Sequence, residues 1–270
     1  MDRYDVKRAT RHLAMHVPGV RDRLGARYPY LHTPGQLIYL CSCLERVRDV
    51  PGTIVEAGCF QGNTTLFLNR YMTSEGIEKP YVALDTFAGF RDSDLATEQA
   101  RGHDRRHYRG MFSGNDRSWY DYAMRRDGAT RVRSMVADIG TFDFAQIAPV
   151  AFCLVDVVFY RPVKRALPRI WEALAPGGVV VVDDYHEDER GAFSGAGQAY
   201  REFAEELGLE PRRVHKEYGL LVKEGPRLAA SGATDVEDLA GRLHRKHAED
   251  LASDGAYAES RRVGRARVRA

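Results

Sequence analysis

Along the chain, short β-branched apolar runs alternate with stretches whose apolar residues recur at helical spacing. TIVEAG (53–58), YVALD (81–85), VRSMVAD (132–138), VAFCLVD (150–156) and GGVVVVDD (177–184) predict five strands. VAFCLVD is apolar without alternation, as expected of a strand buried on both faces of a sheet. Between them, GNTTLFLNRYM (62–72), SWYDYAMRRD (118–127) and RPVKRALPRIWEAL (161–174) predict helices, the last kinked or broken near Pro168. GAGQAYREFAEELG (195–208) predicts an amphipathic helix stopped by Gly208, and 212–216 with 219–223 predict a closing hairpin. Residues 1 to about 50 read as helical, with one helix over 33–47 opened by Thr33 as N-cap and Pro34 at its first position. The polar stretch from Thr86 to about Asp116 shows no regular period.

Strands that alternate with helices predict an α/β fold with a mostly parallel sheet, here of about seven strands with the last hairpin antiparallel. The chain then divides into an N-terminal helical cap (1–50), a ligand-binding α/β domain (51–225) and a helical, basic tail (226–270). Ligands of such sheets lie at the carboxyl ends of the strands, near the point where strand order reverses. The last residues of each strand are therefore the functional candidates.

The first strand runs into Glu56-Ala57-Gly58-Cys59-Phe60-Gln61-Gly62. Glu56, Gly58 and Gly62 would let backbone approach a ligand at a helix N-terminus, or would simply make a tight turn. The spacing is not the dinucleotide fingerprint, which disfavours a nicotinamide dehydrogenase. The second strand ends at Asp85, an acceptor suited to the ribose diol of an adenosine ligand, or a helix cap. Asp138, ending the third strand, could reach an adenine amino group or cap the segment that follows. Asp156, Asp183 and Asp184 end the fourth and fifth strands and would converge. Three such carboxylates repel unless a hard divalent cation such as Mg²⁺ or Mn²⁺ joins them; otherwise they cap helices and bond backbone amides.

Composition narrows the picture. The 270 residues carry 40 Lys+Arg against 38 Asp+Glu, a net charge of +2, so no global field favours nucleic acid or membrane. The chain has no run of 18 apolar residues and no signal peptide at its N-terminus. Cys41, Cys43, Cys59 and Cys153 fit neither a zinc site nor a disulfide framework and read as reduced packing residues in a cytoplasmic protein.

EAGCFQGNTT, LDTFAGF, LVDVVFY, a Pro-Gly-Gly turn, VVVVDDYHE and GAGQAYREFAEEL stand in the order and spacing of the macrocin O-methyltransferase family, which the chain resembles over roughly 35–223. The resemblance implies a Rossmann-like class I methyltransferase that uses S-adenosylmethionine and a divalent metal on a sugar hydroxyl of a natural product. Glu56, Gly58 and Gly62 then correspond to the donor loop, Asp85 with neighbouring Thr86 to the ribose site, and Asp156, Asp183 and Asp184 to the metal ligands. The chain departs from the family after strand four. Where the family has a D-G-D-x-Y-E-S-T run, residues 156–163 read DVVFYRPV, and Phe159 occupies the position of the catechol-type lysine. The acceptor and the catalytic base are thereby left open.

A hydroxyl acceptor needs a proton acceptor beside it, and Asp156 and His186 are the candidates. The stretch 87–119, with His103, Arg105, Arg106, His107, Tyr108 and Arg109, is either a lid over the acceptor or a solvated insertion. The tail ends in RRVGRARVRA and suits a flexible or oligomer-facing segment rather than a nucleic-acid module. Two other functions fit the same residues: a metal-independent N- or O-methyltransferase, and a non-catalytic donor-binding protein.

Overall fold

The computed structural model describes residues 6, 10, 13, 14, 17, 28–103, 108, 110–186, 193–215 and 217–225. It comprises two compact units, Met1–Leu31 and His32–Ala270. In the first, Val6, Thr10, Leu13 and Ala14 are helical, and the Thr10 hydroxyl donates to the Val6 carbonyl. The tail expected over 226–270 lies outside the described residues.

The second unit is built on a seven-stranded sheet of order β3-β2-β1-β4-β5-β7-β6. Its strands are β1 (Thr53–Ala57), β2 (Tyr81–Asp85), β3 (Val132–Val136), β4 (Val150–Val155), β5 (Leu174–Val182), β6 (Arg212–Val214) and β7 (Tyr218–Val222). β1 to β5 pair in parallel, and β7 runs antiparallel between β5 and β6, as the hairpin pattern predicts. Strand order reverses between β1 and β4, which marks their carboxyl ends as the place for a ligand.

The α-helices of this unit with described bounds are α1 (Pro34–Arg46), α2 (Asn63–Ser74), α3 (Asp92–Ala100), α4 (Arg117–Asp127), α5 (Tyr160–Ala173) and α6 (Ser194–Glu206). Thr33 caps α1 through a reciprocal capping box with Gln36. Alternate strand residues feed two cores. Ile54, Phe152 and Leu154 pack under Leu40, Leu44, Leu68, Met72 and Met124 of α1, α2 and α4. Val55, Cys153 and Val155 pack under Val163, Leu167, Ile170 and Phe203 of α5 and α6. All four cysteines are free and buried in this packing.

The structure narrows the sequence pattern in one place and differs from it in another. α5 continues through Pro168, which removes the broken alternative and leaves the kinked one. The supposedly aperiodic stretch contains α3, whose buried face is only Leu95 with the polar Asp94 and Glu98, too little apolar surface to register as a period. Among the described residues no helix is long and apolar enough to cross a membrane.

Candidate active site

The ends of β1, β2 and β4 are tied together by backbone. Gly58 N–H donates to the Leu84 carbonyl, and Asp156 N–H to the Ala57 carbonyl, both at 2.8 Å. Gly58 has φ +92°, and a Cβ there would sit 2.0 Å from the Asp156 carbonyl oxygen, so only glycine permits this approach. Gly62, at φ +84°, opens α2, and its Cβ would strike Met124 and Tyr120. The glycines predicted for the donor loop are therefore required by the fold itself.

Asp85 holds that loop. One carboxylate oxygen accepts the N–H groups of Cys59 (3.0 Å) and Phe60 (2.9 Å), and the other that of Phe87 (2.8 Å). A carboxylate offers about four lone-pair sites, so these three bonds leave one for a ligand hydroxyl. The Thr86 hydroxyl donates to the Gly89 carbonyl and shapes the turn after β2. Glu56, in contrast, is enclosed. Its Oε2 accepts the hydroxyls of Thr65 and Tyr81, both at 2.6 Å, and burial pushes its carboxyl up to about 7 despite those bonds. Asp138 accepts Gly140 N–H at 3.0 Å and pairs with Arg91, so the capping alternative describes its contacts here.

At the ends of β4 and β5, Asp156 and Asp183 come together, and the third member of their group is one the sequence pattern did not select. His32, immediately before the α1 N-cap, offers a nitrogen that lies with an oxygen of Asp156 and one of Asp183 within 4.8 Å of one another. Its Nε2 is 3.4 Å from Asp156 Oδ2, its Nδ1 3.6 Å from Asp183 Oδ2, and Nδ1 also meets the Tyr218 hydroxyl at 3.0 Å. His32 and Tyr218 are both buried, one ahead of the sheet and one on β7.

Asp184 lies outside that trio. It adopts φ +60°, a conformation uncommon for a side-chain-bearing residue, and its Oδ1 is 3.3 Å from His186 Nε2. His186 Nδ1 lies 3.8 Å from Glu217. Burial and then the Asp156 and Asp184 charges push Asp183 well above the carboxylate range. Burial and then Asp156 raise Asp184 to about 6. Burial alone would lower His32, but the adjacent Asp156 and the charges of Asp183 and Glu56 prevail and raise it to about 9. The carboxylates thus repel one another in a poorly solvated place, and Asp183 Oδ1 is buried with no hydrogen-bond partner among the described residues. Oxygen donors so arranged fit a divalent cation.

The insertion after β2 covers the neighbouring loop. Phe159 is buried against Phe90 (ring centroids 4.3 Å) and Tyr108 (5.0 Å), an apolar site incompatible with a lysine. Glu98 is almost fully buried and accepts the Tyr160 N–H at 3.0 Å, capping α5 from the insertion. Arg101 stands 3.4 Å and His103 3.7 Å from Glu98. Arg105, Arg106, His107 and Arg109 lie outside the described residues.

The macrocin-O-methyltransferase (TylF) family model matches residues 35–212. A curated relative, the 8-demethyl-8-(2,3-dimethoxy-alpha-L-rhamnosyl)-tetracenomycin-C 4'-O-methyltransferase of Streptomyces olivaceus, is 26% identical over 155 residues, 54% of this chain and 58% of that one. The chain thus spans less than two thirds of that relative's length. Among solved structures, the fold is similar to the O-methyltransferase NovP (TM-score 0.60, 18% identity, 70% of this chain and 80% of that one). It is also similar to the calicheamicin methyltransferase CalS11 (TM-score 0.58, 19% identity, 82% and 93%).

Proposed function

We propose a reaction on one premise: this chain belongs to the macrocin-O-methyltransferase family. It transfers the methyl group of S-adenosylmethionine to a hydroxyl, on a sugar of a glycosylated natural product, in the cytoplasm. The observation that carries the reading is the pair Asp156 and Asp183, side by side at the ends of β4 and β5 and one backbone contact from the glycine loop. The rhamnosyl acceptor in the relative's name supports the sugar.

The donor, when bound, supplies an electrophilic methyl group on a sulfonium, so the protein's task is alignment for an in-line displacement. Asp85 offers its remaining lone pair to the ribose, with Thr86, Gly58 and Gly62 shaping the walls, and Asp138 at the adenine side. Asp156, Asp183 and Asp184 would hold a divalent ion, Mg²⁺ or Mn²⁺, which would supply Lewis acidity to an acceptor hydroxyl. As the oxygen–methyl bond forms, the methyl–sulfur bond breaks and its electron pair leaves with sulfur. The hydroxyl proton passes to Asp156 or to His186, which Asp184 orients.

The test is methyl transfer to a rhamnosylated acceptor, followed by mass spectrometry. A single added methyl is expected, abolished by EDTA and restored by Mg²⁺ or Mn²⁺, with donor binding retained in EDTA. Full turnover in EDTA would overturn the metal reading. One observation favours a metal-free variant: His32, charged below about pH 9, lies beside both Asp156 and Asp183 and offsets their charge without an ion. The same EDTA comparison separates the two.

A further inference from the structure

Asp156 and Asp183 are expected partners at two adjacent strand ends, but His32 arrives from outside the sheet. Charge-assisted N–H···O bonds are about 2.7–2.9 Å long. His32 Nε2 lies 3.4 Å from Asp156 Oδ2, and its other nitrogen, Nδ1, lies 3.6 Å from Asp183 Oδ2, both longer than such bonds. One nitrogen of the ring and one oxygen of each carboxylate lie within 4.8 Å of one another, close enough to face a single ion.

The ring is also held as a ligand's ring is held. Histidines that bind metal present one nitrogen to the ion and fix the other through a hydrogen bond to a neighbouring group. Here Nε2 faces Asp156, and Nδ1 is fixed by the Tyr218 hydroxyl at 3.0 Å. Tyr218 is itself fully buried on β7, so it cannot swing away, and His32 directly precedes the capping box that starts α1. Facing them, Asp183 Oδ1 is buried without a hydrogen-bond partner among the described residues.

We propose that His32 is a ligand of this site through Nε2, with Tyr218 as its positioning residue, so that the protein holds an imidazole-accepting divalent ion such as Mn²⁺ in preference to Mg²⁺. This rests on the metal reading above and adds the nitrogen donor. The consequence is one of selectivity: Mg²⁺ keeps carboxylate and water oxygens, whereas Mn²⁺ belongs to the first-row series whose members bind sites that mix nitrogen with oxygen.

The experiment uses the full chain loaded with Mn²⁺ alone, without donor or acceptor, and reads pulsed electron paramagnetic resonance. The expected result is nitrogen-14 modulation of the bound Mn²⁺, absent in His32→Ala and retained in His186→Ala. Competition by Mg²⁺ supplies a second readout. Mn²⁺ should be preferred at least tenfold by the native protein, and that margin should shrink in His32→Asp, whose site offers only oxygen. Tyr218→Phe keeps the ring and the core volume; it should retain Mn²⁺ but weaken it by roughly tenfold. Bound Mn²⁺ with no nitrogen coupling, or coupling lost only in His186→Ala, would overturn the assignment of His32 and leave the carboxylate site standing. Failure of the native protein to bind Mn²⁺ at all would overturn both.

Discussion

The carboxylate of Asp85 accepts the backbone N–H of Phe60 at 2.9 Å, so the residue expected to bind the donor's ribose also holds the loop that surrounds it. Removing the side chain does two things together. Asp85→Ala should weaken S-adenosylmethionine binding by one to two orders of magnitude, corresponding to one charge-assisted bond of about 1.5–3 kcal/mol. It should also lower the melting temperature, because three backbone donors lose their acceptor. Calorimetry and thermal unfolding of the same preparation check this. Unchanged donor affinity in a less stable protein would leave Asp85 with the structural duty alone.

Asp183 should show stability and activity moving in opposite directions. Burial and the charges of Asp156 and Asp184 raise its carboxyl, so its ionised form is penalised in the folded state at neutral pH. Asp183→Asn removes that penalty while preserving shape. In chelator at pH 8 the variant should melt higher than the native protein, and the gain should fade as acid protonates Asp183 in both states. Turnover should nonetheless fall by roughly a hundredfold or more, with donor affinity unchanged. A variant that melts lower in chelator would contradict the crowding of charge at β4 and β5.

Glu56 gives a pH signature of its own. Its folded value of about 7 stands above the ordinary 4.5, so the stability it confers is fully present below about pH 4.5 and is lost as pH rises through 7. Glu56→Gln keeps an oxygen for the Thr65 and Tyr81 hydroxyls and has no charge to bury. Relative to the native protein it should gain up to about 3 kcal/mol at pH 8, at about 1.4 kcal/mol per unit, and almost nothing at pH 4.5. Denaturant unfolding at the two pH values, taken as a difference between proteins, isolates this group. An equal effect at both would mean that the fold does not raise the Glu56 carboxyl.

The strands were legible because parallel strands are buried on both faces and write themselves as short apolar runs. YVALD was read with its observed bounds, and VAFCLVD to within one residue. Thr33 was legible for a similarly local reason, since its cap is closed by Gln36 three positions on. His32 stands next to that cap and carries no local signal. Its partners are Asp156, Asp183 and Tyr218, brought near only once the sheet is assembled. The same holds for Glu56 and Asp138, whose residue type and position suggest a ligand. Thr65, Tyr81 and Arg91 engage them in the fold, and no spacing rule names those partners. α3 escaped notice because its buried polar face, Asp94 and Glu98, reads as solvent-facing until the N-terminus of α5 is set against it.

That last contact, Glu98 to the N–H of Tyr160, spans 62 positions and bears on the order of assembly. The N–H groups at the start of a helix have no partner within it. The helix that follows the Asp156 loop obtains one of its partners from the insertion between β2 and β3, and contacts so distant in sequence are slow to form. In the chain the insertion precedes β4 and α5, so this contact cannot form until both exist. The loop after Asp156 is therefore completed only once the insertion, β4 and α5 are all present.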